Sequence, residues 1–337
     1  MKETIKNIII TSKSINICYA FILRCLHKKS KIEIKKRGNL SIFDYQKLIE
    51  EIPIFPKDIV IDNNYYGLSD CLKKFINTKK PLNSYIEHGL FLGSLVKEDA
   101  INWCVPIIIT FSSHRYNHIK KKCSKKILKI GPYIHYADDF IAQKYFFELK
   151  QKLGKTLLIF PSHSIKNIEI SFNNDELITF IKSKENSFET VVICLYWRDA
   201  LNEALVNSYK KCGYKITSAG HINDANFLSR LKSIVKLSDF VISNSVGTHI
   251  GYINYLKKPQ MIYKQTVDYL VNKNDQRAFT QRNKDDEKTL NDETSEILKS
   301  FANYSFIISQ EQTDIIEKYW GLSEVKTKKE LSQLILN

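Results

Sequence analysis

Several short runs in this chain gather small, polar and basic residues of the kind that hold a phosphate. The foremost is Ser243-Asn244-Ser245-Val246-Gly247-Thr248-His249, between a buried apolar run at 240–242 and a helical pattern reaching about 256. Ser243, Asn244 and Ser245 are residue types that cap helices. Gly247 lets a ligand approach the backbone closely. A helix starting here would aim free N–H groups and a positive dipole end at the turn. A nucleotide phosphate suits that place; a turn that only caps its helix is the plainer alternative.

Three more runs follow candidate strands in the same half: Pro161-Ser162-His163-Ser164, Tyr196-Trp197-Arg198-Asp199 and Gly220-His221-Ile222-Asn223-Asp224. His163 could donate to a phosphoryl oxygen. Arg198 could pair with one, an aromatic beside it could stack on a base, and His221 could touch the nucleotide. Equally, Asp199 and Asp224 could cap helices and Trp197 could pack beneath one. In the first half, Tyr85-Ile86-Glu87-His88-Gly89 ends a candidate strand. Glu87 or His88 could act as a general base beside an acceptor hydroxyl, and strand alternation would turn only one of them to a cleft. Ser112-Ser113-His114-Arg115 is a second polar cluster there.

Missing motifs narrow the chemistry. There is no H-E-x-x-H, D-x-D or paired C-x-x-C, so no metal site is expected. A Walker A loop, a G-x-S-x-G elbow and a G-x-G-x-x-G fingerprint are also lacking, which removes kinase, hydrolase and ordinary dehydrogenase readings.

Short β-rich runs alternate with helical patterns, the signature of parallel βαβ units. Expected strands are 7–11, 58–62, 85–88, 106–111 and 127–130 in the first half. In the second they are 156–160, 190–196, 215–218, 240–242 and 260–263. The two series imply an α/β chain of two Rossmann-like domains facing across a cleft. Residues 1–153 would form the first and 154–309 the second. Residues 310–337 would form a helical segment packing back on the first domain. The charge-dense stretch 271–291 reads as a solvated loop.

The 337 residues carry a net charge of +15. Only 7 of the 51 basic residues are Arg, the better side chain for phosphate forks and base edges. That argues against nucleic acid and leaves two readings: an AT-rich codon bias, or attraction to an anionic membrane face. The seven cysteines are irregularly spaced and odd in number, which suits a reduced, cytoplasmic setting. No run of 18 apolar residues occurs. Residues 15–26 are apolar but interrupted by Arg24, so they read as a core element or an amphipathic surface helix.

Two of these runs, and a third at 130–137, also carry a resemblance. Tyr-Ile-Glu-His-Gly at 85–89, Ile-Gly-Pro-Tyr-Ile-His-Tyr-Ala at 130–137 and Ser-Asn-Ser-Val-Gly-Thr-His-Ile-Gly-Tyr at 243–252, with Lys258-Pro259, resemble GT-B glycosyltransferases of bacterial lipopolysaccharide and capsule synthesis. Pro161-Ser162-His163 and Ser243-Asn244-Ser245 are more weakly similar to elements of bacterial sialyltransferases, with the order Pro-Ser-His in place of His-Pro and an Asn between the serines. The resemblance implies a metal-independent transfer of sugar from a CMP- or UDP-linked donor to a hydroxyl of a growing glycan. It makes residues 1–153 the acceptor side and 154–309 the nucleotide-sugar side, and places the nucleotide on Ser243, Ser245, Gly247 and Thr248, with His163 close by, and a base at Glu87 or His88; Asn244 and His249 of the same turn stand beside them as candidates. It also implies a glycan or lipid-linked acceptor at the inner membrane face. Two rivals remain: a nucleotide-sugar epimerase of the same plan, and a non-catalytic polyanion-binding protein.

Overall fold

A computed structural model of the chain describes residues 2–164, 168–271 and 276–336. Ten strands occur in the described residues. β1 (Ser84–Ile86), β2 (Ile107–Thr110) and β3 (Lys126–Lys129) form a parallel sheet in that order. Seven more follow: β4 (Thr156–Phe160), β5 (Ile168–Phe172), β6 (Thr190–Cys194), β7 (Lys215–Thr217), β8 (Phe240–Ser243), β9 (Gln260–Ile262) and β10 (Val267–Val271). Five of them make a second parallel sheet, ordered β7-β6-β4-β8-β9. β5 and β10 form a separate antiparallel ribbon. The α/β class and the parallel sheets are those expected.

The strands are parallel because helices separate them and cover both faces. β4 and β8 are buried at every position, as strands covered on both sides must be. Helices Asn174–Glu185, Glu203–Lys211, Phe227–Leu237 and Thr248–Tyr255 supply the cover. In the second sheet the chain runs outward from β4 through β6 to β7, then crosses back to β8 and β9. The direction of winding therefore reverses between β4 and β8. Such a reversal opens a crevice at the carboxyl ends of the two strands.

Three local expectations fail for physical reasons. Residues 7–11 are not a strand. They end the helix Lys2–Thr11, the first of three with Lys13–Leu26 and Lys28–Arg37. The β-branched Ile run reads as strand, but tertiary contact overrides propensity. Ile10 is buried, and its carbonyl accepts from the Cys104 amide at 2.8 Å. Residues 58–62 form a bend and the start of a 3-10 turn, Ile61–Gly67. The buried Asp58 carboxylate holds that shape by accepting from Lys73 at 2.8 Å and the Leu82 amide at 2.9 Å. The expected loop 271–291 begins at the last residue of β10, residues 272–275 lie outside the described residues, and Gln276–Ser300 is a helix. A helix with few apolar positions persists where it bridges between units, and this one buries Ile297 at its far end, with Phe301 just beyond it.

The expected boundary at 153 falls where helix Gln143–Leu153 ends on Gly154, which has φ +62°. The halves nevertheless interlock. Tyr45 and Ile49 pack into the core of the second sheet. The Thr217 hydroxyl donates to the Ile42 carbonyl at 2.5 Å, and the His221 amide donates to the Leu48 carbonyl at 2.9 Å. One apolar cluster joins Ile86 and Ile109 of the first sheet to Leu158 and Val192 of the second, to Ile250 of helix Thr248–Tyr255 and to Trp320.

Helix Gln310–Trp320 opens with a capping box of Ser309 and Gln312, and its end lies under helix Thr248–Tyr255. There the Trp320 indole donates to the Thr248 carbonyl at 3.1 Å. Beyond it, the Lys326 amide donates to the Tyr136 hydroxyl at 3.0 Å, which ties the C-terminal segment to the first half.

A Cβ at Gly251 would lie 2.3 Å from the buried Trp320 ring. Gly251→Val is therefore expected to lower the thermal midpoint, and Trp320→Ala to cost about 3–5 kcal/mol. Denaturant unfolding followed by circular dichroism checks both; unchanged midpoints would contradict this packing.

Candidate functional site

The crevice between β4 and β8 is lined by two of the expected runs, one from each strand end. Asn244 ties them together. Its Oδ1 accepts from the Ser162 amide at 2.6 Å and the Ser162 hydroxyl at 2.8 Å. The Ser162 hydroxyl also lies 2.8 Å from the Ser245 hydroxyl. The Asn244 amide donates to Gln265 at 3.0 Å, and Gln265 donates to the Asn173 carbonyl at 2.9 Å. Asn244 is 1% exposed, so its two bonds to Ser162 are shielded from water and hold both strand ends.

The helix after β8 starts at Thr248 with Gly247 as its N-cap, and no side chain caps it. Ser243, Asn244 and Ser245 lie too early to cap it. Ser243 instead shares a 2.9 Å hydrogen bond with His249 Nε2. The Gly247 backbone is extended, at φ −157° and ψ 174°, so dihedral freedom does not select glycine here. Space does, because a Cβ would stand 2.8 Å from the His249 ring.

Two imidazoles flank the crevice. His249 stacks on Phe160 with ring centroids 4.8 Å apart. Burial lowers its pKa to about 3, and the neighbouring His163 adds to the effect. His163 packs on Tyr196 at 4.8 Å, and burial lowers its pKa to about 4. Both are neutral at pH 7 and can donate to an anion without adding net charge.

The first sheet closes over this edge. The Leu90 amide donates to the Thr248 hydroxyl at 2.8 Å, joining the loop after β1 to the first turn of the uncapped helix. An aromatic chain runs beside that contact. His88 packs edge-on against Tyr65 at 5.4 Å and lies 6.2 Å from Tyr66. The Tyr66 and Tyr196 hydroxyls are hydrogen-bonded, and Tyr196 meets His163. Tyr66 has φ +58°, an outlying conformation for a bulky residue that marks strain held by its surroundings. Its amide donates to the Ile222 carbonyl at 2.7 Å.

Glu87 and His88 have separate fates. The Glu87 carboxylate takes a two-pronged pair from Arg115, at 2.5 and 3.0 Å, and a 2.7 Å bond from Thr110. It is 2% exposed. Three of the roughly four acceptor sites of this buried carboxylate are taken by Arg115 and Thr110. It fixes the strand end, and its own carbonyl accepts from Tyr133 at 2.9 Å. His88, the other candidate at this edge, is not tied down in this way. Its Nδ1 is buried without a well-formed hydrogen bond, and burial lowers its pKa to about 3.

His221 does not join the crevice. It is buried, its ring lies 4.3 Å from Trp197, and its Nδ1 accepts from the Asn223 amide at 3.2 Å. Arg198 is exposed and lies over Trp197 at 4.4 Å. Asp199 does not wait to cap the helix after it: both its oxygens accept from the Ser164 amide, at 3.2 and 3.1 Å. Sequence reading missed Tyr65, Tyr66 and Gln265. The run Asn63-Asn64-Tyr65-Tyr66-Gly67 carried a turn signal in its asparagines and glycine, while nothing local marks Gln265.

No known protein family matches the chain, and no curated protein matches it by sequence. Solved structures do. A histidine-to-alanine variant of the wall teichoic acid polymerase TagF is 13% identical over 74% of this chain and 66% of its own, with a TM-score of 0.42. A second TagF structure is 14% identical with the same coverage and a TM-score of 0.37. S. aureus MnaA, solved with UDP, is 13% identical over 77% of this chain and 82% of its own, with a TM-score of 0.36. The chain thus spans 66% of the length of the TagF chains it matches.

The lowered pKa values of His88, His163 and His249 set a sign for acid stability. Unfolding restores each to about 6.5, so below that pH the unfolded chain binds protons the folded chain does not. Stability is full above about pH 6.5 and falls as pH drops toward 4. The melting temperature is expected to fall between pH 7.5 and 5, less steeply in a His163→Gln, His249→Gln double variant. Arg115→Ala, which strands the buried Glu87 charge, is expected to cost about 3–5 kcal/mol at pH 7. Thermal and chemical denaturation measure both, and an equal acid slope in the double variant would contradict the first.

Proposed function

We propose that the chain is a glycosyltransferase of GT-B type that moves a sugar from a UDP- or CMP-linked donor to a hydroxyl of a surface glycan. The observation that carries this reading is the coincidence at one sheet edge. The winding reversal between β4 and β8, an uncapped helix start and two neutral imidazoles stand together there, and the loop after β1 reaches them. The donor phosphate is held by the amides at 247–249, with Ser245 and His163 beside it. Developing charge on the leaving phosphate is met by preorganised donors, which is where such sites gain most of their rate. His88 faces from the acceptor side and serves as the base. An imidazole held near pKa 3 is a weak base, so an anionic substrate beside it must raise its basicity.

The acceptor in this proposal lies on the cytoplasmic face of a membrane. Among the described residues, nine of the seventeen exposed large hydrophobic side chains fall between Ile5 and Ile32, including Ile15, Ile17, Phe21, Ile22 and Leu26. Exposed Lys28, Lys29, Lys31, Lys35 and Lys36 follow directly. No single described helix is long and apolar enough to cross a membrane, and helices Ile5–Thr11 and Lys13–Leu26 meet at 108°. Apolar faces bordered by lysines suit helices lying in the headgroup region of an anionic bilayer.

A thermal-shift panel of CMP, UDP, GDP and dTDP tests the donor site. One nucleotide should raise the melting temperature by mass action, with the rise reduced in Ser245→Ala and His163→Ala. His88→Ala should keep the shift and lose transfer. No shift with any nucleotide would reject the donor assignment. Separately, sedimentation with phosphatidylglycerol vesicles should bring the protein down, and Phe21→Glu, Ile22→Glu should leave it in solution. Equal sedimentation of the variant, or equal binding to phosphatidylcholine vesicles, would reject the membrane face.

A further inference from the structure

Helix Ser113–Lys120, which follows β2, turns two histidines to one side. His114 and His118 are four residues apart, the spacing that stacks side chains on one helical face, and their rings lie 4.8 Å apart. A carboxylate from the other half of the chain completes the group. Glu293, on helix Gln276–Ser300, places Oε1 2.6 Å from His114 Nε2. Its second oxygen accepts from the Gly93 amide at 2.6 Å, which fixes the plane of the carboxylate. One ligand atom from each of the three residues lies within 4.8 Å of the others.

We propose that His114, His118 and Glu293 bind one divalent transition-metal ion of the zinc class. Two imidazoles and a carboxylate are a zinc donor set that leaves one position open. Bonds of about 2.0–2.1 Å in a tetrahedron set ligand atoms about 3.3 Å apart, so rotamer changes on the order of 1 Å close the group. His114 Nδ1 is buried with no hydrogen-bond partner among the described residues. The present contacts therefore leave that ring half satisfied, which is uncommon for a buried polar group. The neighbouring cation Arg115 is neutralised by Glu87 and does not repel the ion as a free charge would.

The ion acts as a clamp between the halves. Both histidines belong to the first half, and Glu293 to a helix that follows the second sheet. That helix also holds the loop after β1: Asp286 accepts from the Ser94 hydroxyl at 2.7 Å and from the Leu95 amide at 3.3 Å. Gly93, Ser94 and Leu95 lie a few residues beyond His88 and Leu90. Metal at this place would stiffen the loop that reaches Thr248. The inference stands on these three side chains alone and is independent of the glycosyl-transfer reading.

The test uses tag-free, chelator-stripped full-length protein with Cys18→Ser and Cys25→Ser, because those two thiols are exposed and would bind zinc themselves. Calorimetry with Zn²⁺ should give one equivalent and a rise in melting temperature. Absorption with Co²⁺ should lack a thiolate charge-transfer band. His118→Ala and Glu293→Gln should each weaken binding by at least about tenfold, a loss that even outer-shell changes produce. Their metal-free melting and circular dichroism should match the parent, which separates lost ligation from misfolding. No binding, a thiolate band, or binding unchanged in both variants would overturn the proposal.

Discussion

Asn244 holds the ends of β4 and β8 in register at the place where the winding of the second sheet reverses. Its one side chain accepts two bonds from Ser162 and donates one to Gln265. Without that link the two strand ends would be independent loops. With it, Ser162, Ser245 and the start of helix Thr248–Tyr255 become one rigid edge. The first half reaches this edge through the bond from Leu90 to Thr248, and helix Gln310–Trp320 supports it from below through Trp320. The cleft is therefore set by a few shielded polar bonds mounted on continuous apolar packing.

Burial governs the electrostatics of that edge. His163 and His249 are kept neutral by desolvation, and His88 across from them is treated the same way. Glu87 beside it is held by Arg115 and Thr110. The geometry thus sorts two adjacent residues. Glu87 becomes a fixed part of the frame, and His88 stays as a side chain with an unmet need. The strained Tyr66 backbone fits the same pattern, since it places one ring between His88 and Tyr196.

Much of this was legible in the chain. β4 and β8 are mainly apolar runs that lead into small polar residues, Ser162 and Ser243-Asn244-Ser245, and a parallel sheet places such ends together. The turn 243–249 and Pro161-Ser162-His163 could thus be assigned to one edge from sequence. Long-range partners could not be read. Arg115 claims Glu87 from 28 positions away, and His221 is consumed by Trp197 and Leu48. Residues 7–11 looked like strand because their isoleucines are locally β-prone, and a core contact decides otherwise. Residues 276–291 looked like loop because their polar side chains conceal a bridging role. Glu293, just beyond that stretch, drew no notice because its partners His114 and His118 lie far away in sequence and outside any standard metal signature.

The central claim is that a nucleotide sits at the junction of β4 and β8, on the amides of the uncapped helix. Hydrogen–deuterium exchange of the protein with and without saturating nucleotide tests it most directly. The account predicts slowed exchange confined to residues 245–249, the segment after β4 and the loop carrying Leu90. Binding that leaves residues 245–249 unprotected, with protection elsewhere on the chain, would contradict it.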